Sequence, residues 1–310
     1  MAFVDALRSF QRGMEQAAEI IVEERPTSVL IPMMGSVPFV DCMAICNQQF
    51  NPELADYMPA SSSIEDVNLV MKEWMKNYLN ERASLDQPIK IMGIDEVVSG
   101  QSAVRVYRAV TQAIDAKKRE LAGRILQGFD SNKPESFTQA AAYFNTLTNH
   151  QHYGFISDLV SEMSSGLLIP GADNTIKRKR ELVDLARSYV QELITYHSLG
   201  IEDGKMNRPG KRRSKEYLEL RERGAIIPLS VEAIVTMDKP ELCPPKYEER
   251  TDPQGHLRHL PNVTEFRVTP EYLAFLTNFA FTAGKPPVNV NPTNLQKMLD
   301  SSKYLNQNKA

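Results

Sequence analysis

The chain has 310 residues, 42% apolar and 24% charged, the balance of an ordinary soluble globular protein with core enough for one large domain or two smaller ones. That composition excludes a chain that is mainly disordered, collagen-like or of low complexity. With 36 basic against 39 acidic residues the net charge is −3, so no global field draws it to nucleic acid or to a membrane, and any such partner must be met by a local patch.

In chain order, Phe3, Leu7, Phe10, Met14, Ala17 and Ile21 recur at helical spacing and predict an amphipathic first helix, ended by Pro26. Asp5, Arg8, Arg12 and Glu15 lie among those apolar residues, so the stretch reads as neither a signal nor a transit peptide. Residues 28–32 form a short apolar run with the character of a buried strand. After Met33, Met34, Gly35 and Ser36 a helix is predicted over 37–49, with Cys42 and Cys46 on one side as small core hydrophobes. Asn51 and Pro52 break it. A shorter segment at 55–59 and a polar stretch at 60–63 lead to a helix over about 64–83. Pro88 resets the chain, and 89–94 is a second apolar run that leads through 95–102 into a long helix over 103–126. Strand, loop and helix alternate three times, which predicts a parallel sheet with crossover helices.

From about 128 to 223 the pattern is helical, at 137–147, 155–163 and above all 175–197. A Gly- and Pro-punctuated basic loop follows at 204–215. Residues 225–236 return to β-like composition and are expected to rejoin the first sheet. A Pro-rich connection and a helix over 270–282 close the chain, and the polar tail after Leu299 is expected to be mobile. No internal repeat is found. No run approaches 18 apolar residues, so no membrane span is expected. Three cysteines are too few and too oddly placed for a disulfide framework, and the expectation is a soluble protein of a reducing cytoplasm.

The strongest local signal is Ile89-Lys-Ile-Met-Gly-Ile-Asp-Glu-Val-Val-Ser-Gly-Gln-Ser102. A buried strand ends in two adjacent acids, passes two valines, and enters a small-residue turn that opens a helix. This chemistry suits a ribose phosphate. Backbone N–H groups from Ser99 to Ser102 would sit at a helix N-terminus, where unpaired donors and the positive dipole end attract an anion. Gly100 permits close approach, and Ser99 and Ser102 add hydroxyl donors. Asp95 and Glu96 are placed to accept hydrogen bonds from ribose hydroxyls or to help hold Mg²⁺. Ligands of open α/β sheets collect at the carboxyl ends of the strands, where this loop must lie.

These residues resemble the phosphoribosyl-pyrophosphate (PRPP) loop of the type I phosphoribosyltransferase family. In that comparison Ile91 to Ile94 match the strand, Asp95 and Glu96 the acid pair, Val97 and Val98 the apolar pair, and Ser99, Gly100, Gln101 and Ser102 the phosphate loop. Upstream, Val29 to Pro38 look like the family's first strand and pyrophosphate loop, and Tyr57 to Ser63 occupy the place of its second strand and flexible loop. The resemblance covers about residues 20–126. Two departures stand out. One residue is missing between the apolar pair and the Ser-Gly step, and Met33 and Met34 replace the usual polar or basic side chain of the pyrophosphate loop.

The resemblance implies an α/β, parallel-sheet phosphoribosyltransferase-like domain over 1–127. A large, mainly helical insertion or second domain would follow over 128–223, and a mixed segment over 224–310. It implies displacement of pyrophosphate from C1 of PRPP, or of a related ribose 5-phosphate compound, by a nitrogen nucleophile with Mg²⁺ as cofactor. Asp95 and Glu96 would act as catalytic and, directly or indirectly, metal-holding residues. Val98 to Ser102 would bind the 5′-phosphate, and Met34, Gly35 and Ser36 would face pyrophosphate. The alternative is a non-catalytic nucleotide or PRPP sensor, or a nucleic-acid-associated regulator on the same fold. For the latter the basic run from Lys205 to Lys215 is the candidate surface, with Arg212 and Arg213 as its expected carriers, although no aromatic residue interleaves it. Lys177 to Arg180 oppose the dipole of their own helix. His150 and His152 read as a polar inter-helix loop, and His256 and His259 lack cysteine partners at zinc spacing. Self-association and the acceptor base are left open.

Overall fold

The computed structural model describes residues 2–33, 35–60, 66–130, 133–168, 172–207, 212–235, 246–251, 257–262, 268–286 and 292–306. Met34, Arg208, Lys211 and His256 lie outside these residues. Two compact units are present: 1–77 with 90–111 and 196–310, and 78–89 with 112–195.

The first unit is built on a five-stranded parallel sheet in the order β2-β1-β3-β4-β5. Its strands are β1 (Ser28–Pro32), β2 (Ala55–Met58), β3 (Ile89–Val97), β4 (Ile194–Asp203) and β5 (Ile226–Val231). All five residues of β1 are buried, as a central strand covered on both faces requires. Its register places Leu30 opposite Asp56 of β2 and opposite Gly93 of β3. Helix α1 (Ala2–Glu24) lays Phe10, Met14 and Ile21 into the core, where Phe10 meets the rings of Phe39 and Phe279 at 5.8 and 5.9 Å. Helix α2 (Val37–Cys46) is buried along almost its whole length. It ends three residues before the expected point, because Asn47 turns extended and its side-chain oxygen accepts from the N–H of Gln49. Cys42 and Cys46 are free thiols buried in that core, and burial pushes the Cys46 pKa up to about 12.

Helix α2 also buries a carboxyl. The Tyr272 hydroxyl of α9 (Pro270–Ala283) donates to Asp41 Oδ2 at 2.5 Å, and burial outweighs that bond, raising Asp41 to about 6. A carboxyl whose pKa is higher folded than unfolded stabilises below its unfolded value and loses that contribution as pH rises through its folded value. From pH 4 to pH 6 this group is therefore expected to remove about 2 kcal/mol of stability, since each tenfold change in proton affinity is worth about 1.4 kcal/mol. Urea unfolding of Asp41→Asn at pH 4 and pH 7.5 checks this. The variant should gain on the parent protein at pH 7.5 and not at pH 4, and equal differences at both would contradict it.

Helix α3 (Val67–Arg82) presents Val70, Met71, Trp74 and Met75 as a buried face. Helix α4 (Gln101–Gly128) is the longest, and with α3 it runs from the first unit into the second. The second unit adds α5 (Pro134–Leu147), α6 (Tyr153–Ser164) and α7 (Asp173–Leu193). Phe144 holds it together, ringed by Phe129, His152 and Tyr189, while the Tyr189 hydroxyl donates to the Leu85 carbonyl at 2.7 Å. Arg178 joins Glu162 of α6 to Glu181 of α7.

Three expectations are corrected. The helix read over 175–197 ends at Leu193, and its next ten residues are β4, which lies in the sheet. No glycine or proline marks the junction, and Ile194 satisfies both the helical period and the strand. The tail read as mobile after Leu299 continues α10 (Pro292–Asn306), which packs against β2. There Lys297 reaches Asp56 and the carbonyls of Glu53 and Ala55, Asn294 bonds the Pro52 carbonyl, and Trp74 donates to Ser301. Polar residues that look solvated in sequence thus find partners against a sheet edge. The Pro-rich connection contains an antiparallel pair, β6 (Lys246–Thr251) and β7 (Leu257–Asn262). One expectation holds: β5 joins the sheet beside β4. No helix among the described residues is long and apolar enough to cross a membrane.

Candidate functional site at the carboxyl ends of the strands

Strand order reverses between β1 and β3, because the chain leaves β1 for β2 on one side and continues through β3, β4 and β5 on the other. In open α/β sheets the loops after two such strands diverge, and ligands generally bind there, at the strands' carboxyl ends. The loop after β1 carries Gly35 and Ser36, and the end of β3 carries Asp95 and Glu96. Both acids lie inside β3, which runs to Val97, rather than after it.

Ser36 joins the two loops. It precedes α2 as its N-cap residue, yet its hydroxyl does not cap that helix. Instead it donates to Asp95 Oδ1 at 3.2 Å and accepts from the Glu96 N–H at 3.1 Å, while the side chain is fully buried. Glu96 folds back over Gly35: a Cβ there would stand 2.6 Å from Glu96 Oε1. Asp95 is 4% exposed, and its second oxygen, Oδ2, is enclosed with no hydrogen-bond partner among the described residues. Burial and then the neighbouring Glu96 charge push Asp95 up to about 7, against Ser36, the Glu96 N–H and Arg105, which draw it down. Burial, and then the charge of Asp203 at the end of β4, raise Glu96 as well. Asp95 and Glu96 are thus adjacent acids whose charged forms burial and a neighbouring carboxylate disfavour.

Mg²⁺ is held through one or two carboxylates with the remaining positions filled by waters and phosphate oxygens, and Asp95 offers an orphaned oxygen. Among the described residues no group of three or more His, Cys, Asp or Glu side chains forms a complete ion cage.

The phosphate loop candidates have a mixed setting. Val98, Ser99 and Ser102 are half-buried, Gln101 is exposed and Gly100 is buried. Helix α4 starts at Gln101, so its first-turn N–H groups open toward Val98 to Gly100. Gly100 has φ +83°, and a Cβ there would lie 2.5 Å from Cγ of Tyr217. The glycine is required by its left-handed backbone and by the tyrosine packed on it, which occupies the face expected to receive a ligand. Ser214 holds the same loop: its N–H donates to the Ser99 carbonyl at 2.8 Å, and its hydroxyl caps α8 (Lys215–Glu222).

Sequence reasoning missed the second half of this edge. Glu202 of β4 is 1% exposed and accepts from the hydroxyls of Tyr217 and Ser230, with the guanidinium groups of Arg213 and Arg221 within 3.4 Å. Arg213 also donates to the Asp203 carbonyl. Tyr196 of β4 lies with its ring over Gly93 and against Tyr107. One signal was present: Met92-Gly-Ile-Asp-Glu96 and Leu199-Gly-Ile-Glu-Asp203 repeat an apolar-Gly-Ile-acid-acid pattern at the ends of neighbouring strands. Each glycine of that repeat lies under a tyrosine, Tyr196 and Tyr217 respectively. Arg213, expected to face a nucleic acid, is turned inward with a side chain 6% exposed. Arg212 and Lys205 remain exposed, and Lys215 pairs with Glu219. His150 and His152 lie in the turn between α5 and α6, as expected.

Comparison with protein-family models, with curated proteins and with solved structures finds no match to this chain.

Proposed function

We propose that the crevice between β1 and β3 binds the phosphoribosyl group of PRPP or of another ribose 5-phosphate compound. We further propose that the protein transfers this group to a nitrogen acceptor with release of pyrophosphate. The observation that carries this reading is the Ser36 bridge, which ties the loop after β1 to the acid pair of β3 where the strand order reverses. Further support comes from the order of parts: β1, β2 and β3 are parallel neighbours, each followed by the loop that the phosphoribosyltransferase resemblance assigns to pyrophosphate, flexible cover and 5′-phosphate. The two buried thiols suit a reducing cytoplasm.

In this reading the ribose hydroxyls donate to Asp95 and Glu96, held in place by Ser36. The 5′-phosphate meets the α4 amides from the side of Ser99, Gln101 and Ser102, since Tyr217 covers the other face of Gly100. Pyrophosphate lies toward Gly35 and Ser36. Mg²⁺, held by Asp95 and Glu96, would neutralise the leaving group's charge. The bond from C1 to the pyrophosphate oxygen breaks, the bond from C1 to nitrogen forms, and the acceptor's proton is lost to solvent. The protein's share of the catalysis is positioning and fixed charge.

A second reading, a sensor that binds without turnover, is favoured by one observation. Met33 is buried, Glu96 covers Gly35, and no basic side chain among the described residues of that loop faces pyrophosphate. A pyrophosphate-release assay with PRPP, Mg²⁺ and a panel of heterocyclic bases separates the two. The transferase reading expects release with at least one base, reduced by about 100-fold or more in Asp95→Asn/Glu96→Gln, the scale of losing a group that stabilises developing charge. Binding of PRPP with no release from any base selects the sensor.

A further inference from the structure

In the second unit, α4 and α7 flank an open pocket of about 630 Å³. Its lining combines three cations, Lys118, Arg119 and Arg187, with a single acid, Asp115. Apolar side chains line it too, among them Leu126 and Val183. The volume falls within the range of small-molecule sites, and so does the pairing of an apolar floor with a few convergent polar groups.

Two observations make this more than a gap between helices. The first is Gly123, which lines the pocket in the interior of a 28-residue helix. A glycine there costs about 1 kcal/mol relative to alanine. Nothing packed against it requires it: its backbone is not left-handed, and beyond the adjacent backbone of its own helix no atom lies within 4 Å of the place a Cβ would take. The second is charge. Neither Arg119 nor Arg187 has an ion-pair partner among the described residues. The Lys118 ammonium donates to the Gln191 carbonyl and side-chain oxygen, both neutral, at 2.9 and 3.0 Å. It has a third proton to give. Burial draws the Lys118 pKa down and Asp115 offsets this only in part, as for a cation short of an anion.

We propose that this pocket is a second binding site, for an organic phosphate of nucleoside-monophosphate size. Its phosphate meets Lys118, Arg119 and Arg187, and its flat base lies on the bare backbone at Gly123 between Leu126 and Val183. The three cations call for a dianion, and the patch without a side chain calls for a planar body that packs on it. This site does not depend on the phosphoribosyl reading and shares no residue with it.

The test is calorimetric titration of the full chain at low ionic strength, where exposed charges are least screened, with AMP, GMP, CMP, UMP and inorganic phosphate. At least one nucleotide should bind, more tightly than phosphate. Arg187→Gln should weaken it roughly tenfold, the scale of a hydrogen bond to a charged group. Gly123→Leu should weaken it by more than about tenfold by filling the pocket, while the free variant melts no lower than the parent because leucine is the better helix former. In Asp95→Asn/Glu96→Gln, which removes any nucleotide binding at the acid pair, a nucleotide site weakened by Arg187→Gln should remain. The proposal is overturned if no nucleotide binds at millimolar concentration, if phosphate alone binds as tightly, or if binding is lost with the acid pair. Binding that ignores both Gly123 and Arg187 also overturns it.

Discussion

Replacing Glu202 by alanine is expected to lower the melting temperature by about 10 °C. That carboxylate sits at 1% exposure between Arg213 and Arg221 and accepts from the hydroxyls of Tyr217 and Ser230. Burying such a pair gains little over an apolar core, but removing one partner leaves the other charge buried and uncompensated, at about 3–5 kcal/mol. For a unit of this size each kcal/mol shifts the transition by roughly 2–4 °C. Arg213 has a side chain 6% exposed and bears most of the loss, whereas Arg221 is 41% exposed and can return to water. Glu202→Gln keeps the shape and an acceptor oxygen for one of the two hydroxyls, so it should lose less than the alanine variant. Calorimetric melting of the two variants decides the matter. A shift under about 3 °C for the alanine variant would mean that Arg213 finds water or another anion, and that the contacts between β4 and α8 hold the region only loosely.

Gly100→Ala is expected to destabilise by about 3 kcal/mol, from two sources that add. The left-handed backbone costs a residue with a Cβ about 1–2 kcal/mol, and overpacking adds about 1–3. The clash is with the root of Tyr217, whose Cβ and Cγ would lie 2.6 and 2.5 Å from the new methyl group. The root of a ring cannot swing aside as the tip of a flexible chain can. The strain should pass to the Ser214–Ser99 hydrogen bond, which holds α8 over the loop. In a double-mutant cycle with Tyr217→Ala the two losses should sum to more than the double variant shows, by about 1 kcal/mol or more, because they share one contact. Strict additivity would contradict the packing assigned to Gly100, and with it the claim that α8 shapes the phosphate loop.

Much of the first unit was legible where hydropathy and punctuation agree. Residues 28–32 read as a buried strand because three large apolar residues stand between Pro26 and Pro32, and α9 was read over 270–282, one residue short of its end at Ala283. The parallel sheet followed from alternation alone. Where the reading failed, one signal masked another. The apolar period of α7 continues through Ile194 into β4 with no breaker, so a central strand looked like the end of a helix. Its acids, Glu202 and Asp203, then fell in what read as loop. Helix α10 was hidden because three of its buried residues, Asn294, Ser301 and Ser302, are polar, and the Pro52 carbonyl and Trp74 ring that Asn294 and Ser301 meet are shown by no sequence pattern. At the candidate site, Asp95, Glu96 and the loop to Ser102 were singled out from their own spacing. The Ser36 hydroxyl between them and the tyrosine on Gly100 were not, since both contacts join segments far apart in the chain.

The central claim is that the acid pair of β3, braced by Ser36, recognises a ribose phosphate. Its most direct measurement is a calorimetric titration of the full chain with PRPP in the presence of Mg²⁺, beside Asp95→Asn/Glu96→Gln. The account predicts saturable binding by the parent and at least a tenfold loss in the variant, since each hydrogen bond to a charged group is worth about 1.5–3 kcal/mol. Absence of heat at millimolar PRPP, or equal affinity in a correctly folded variant, would contradict it.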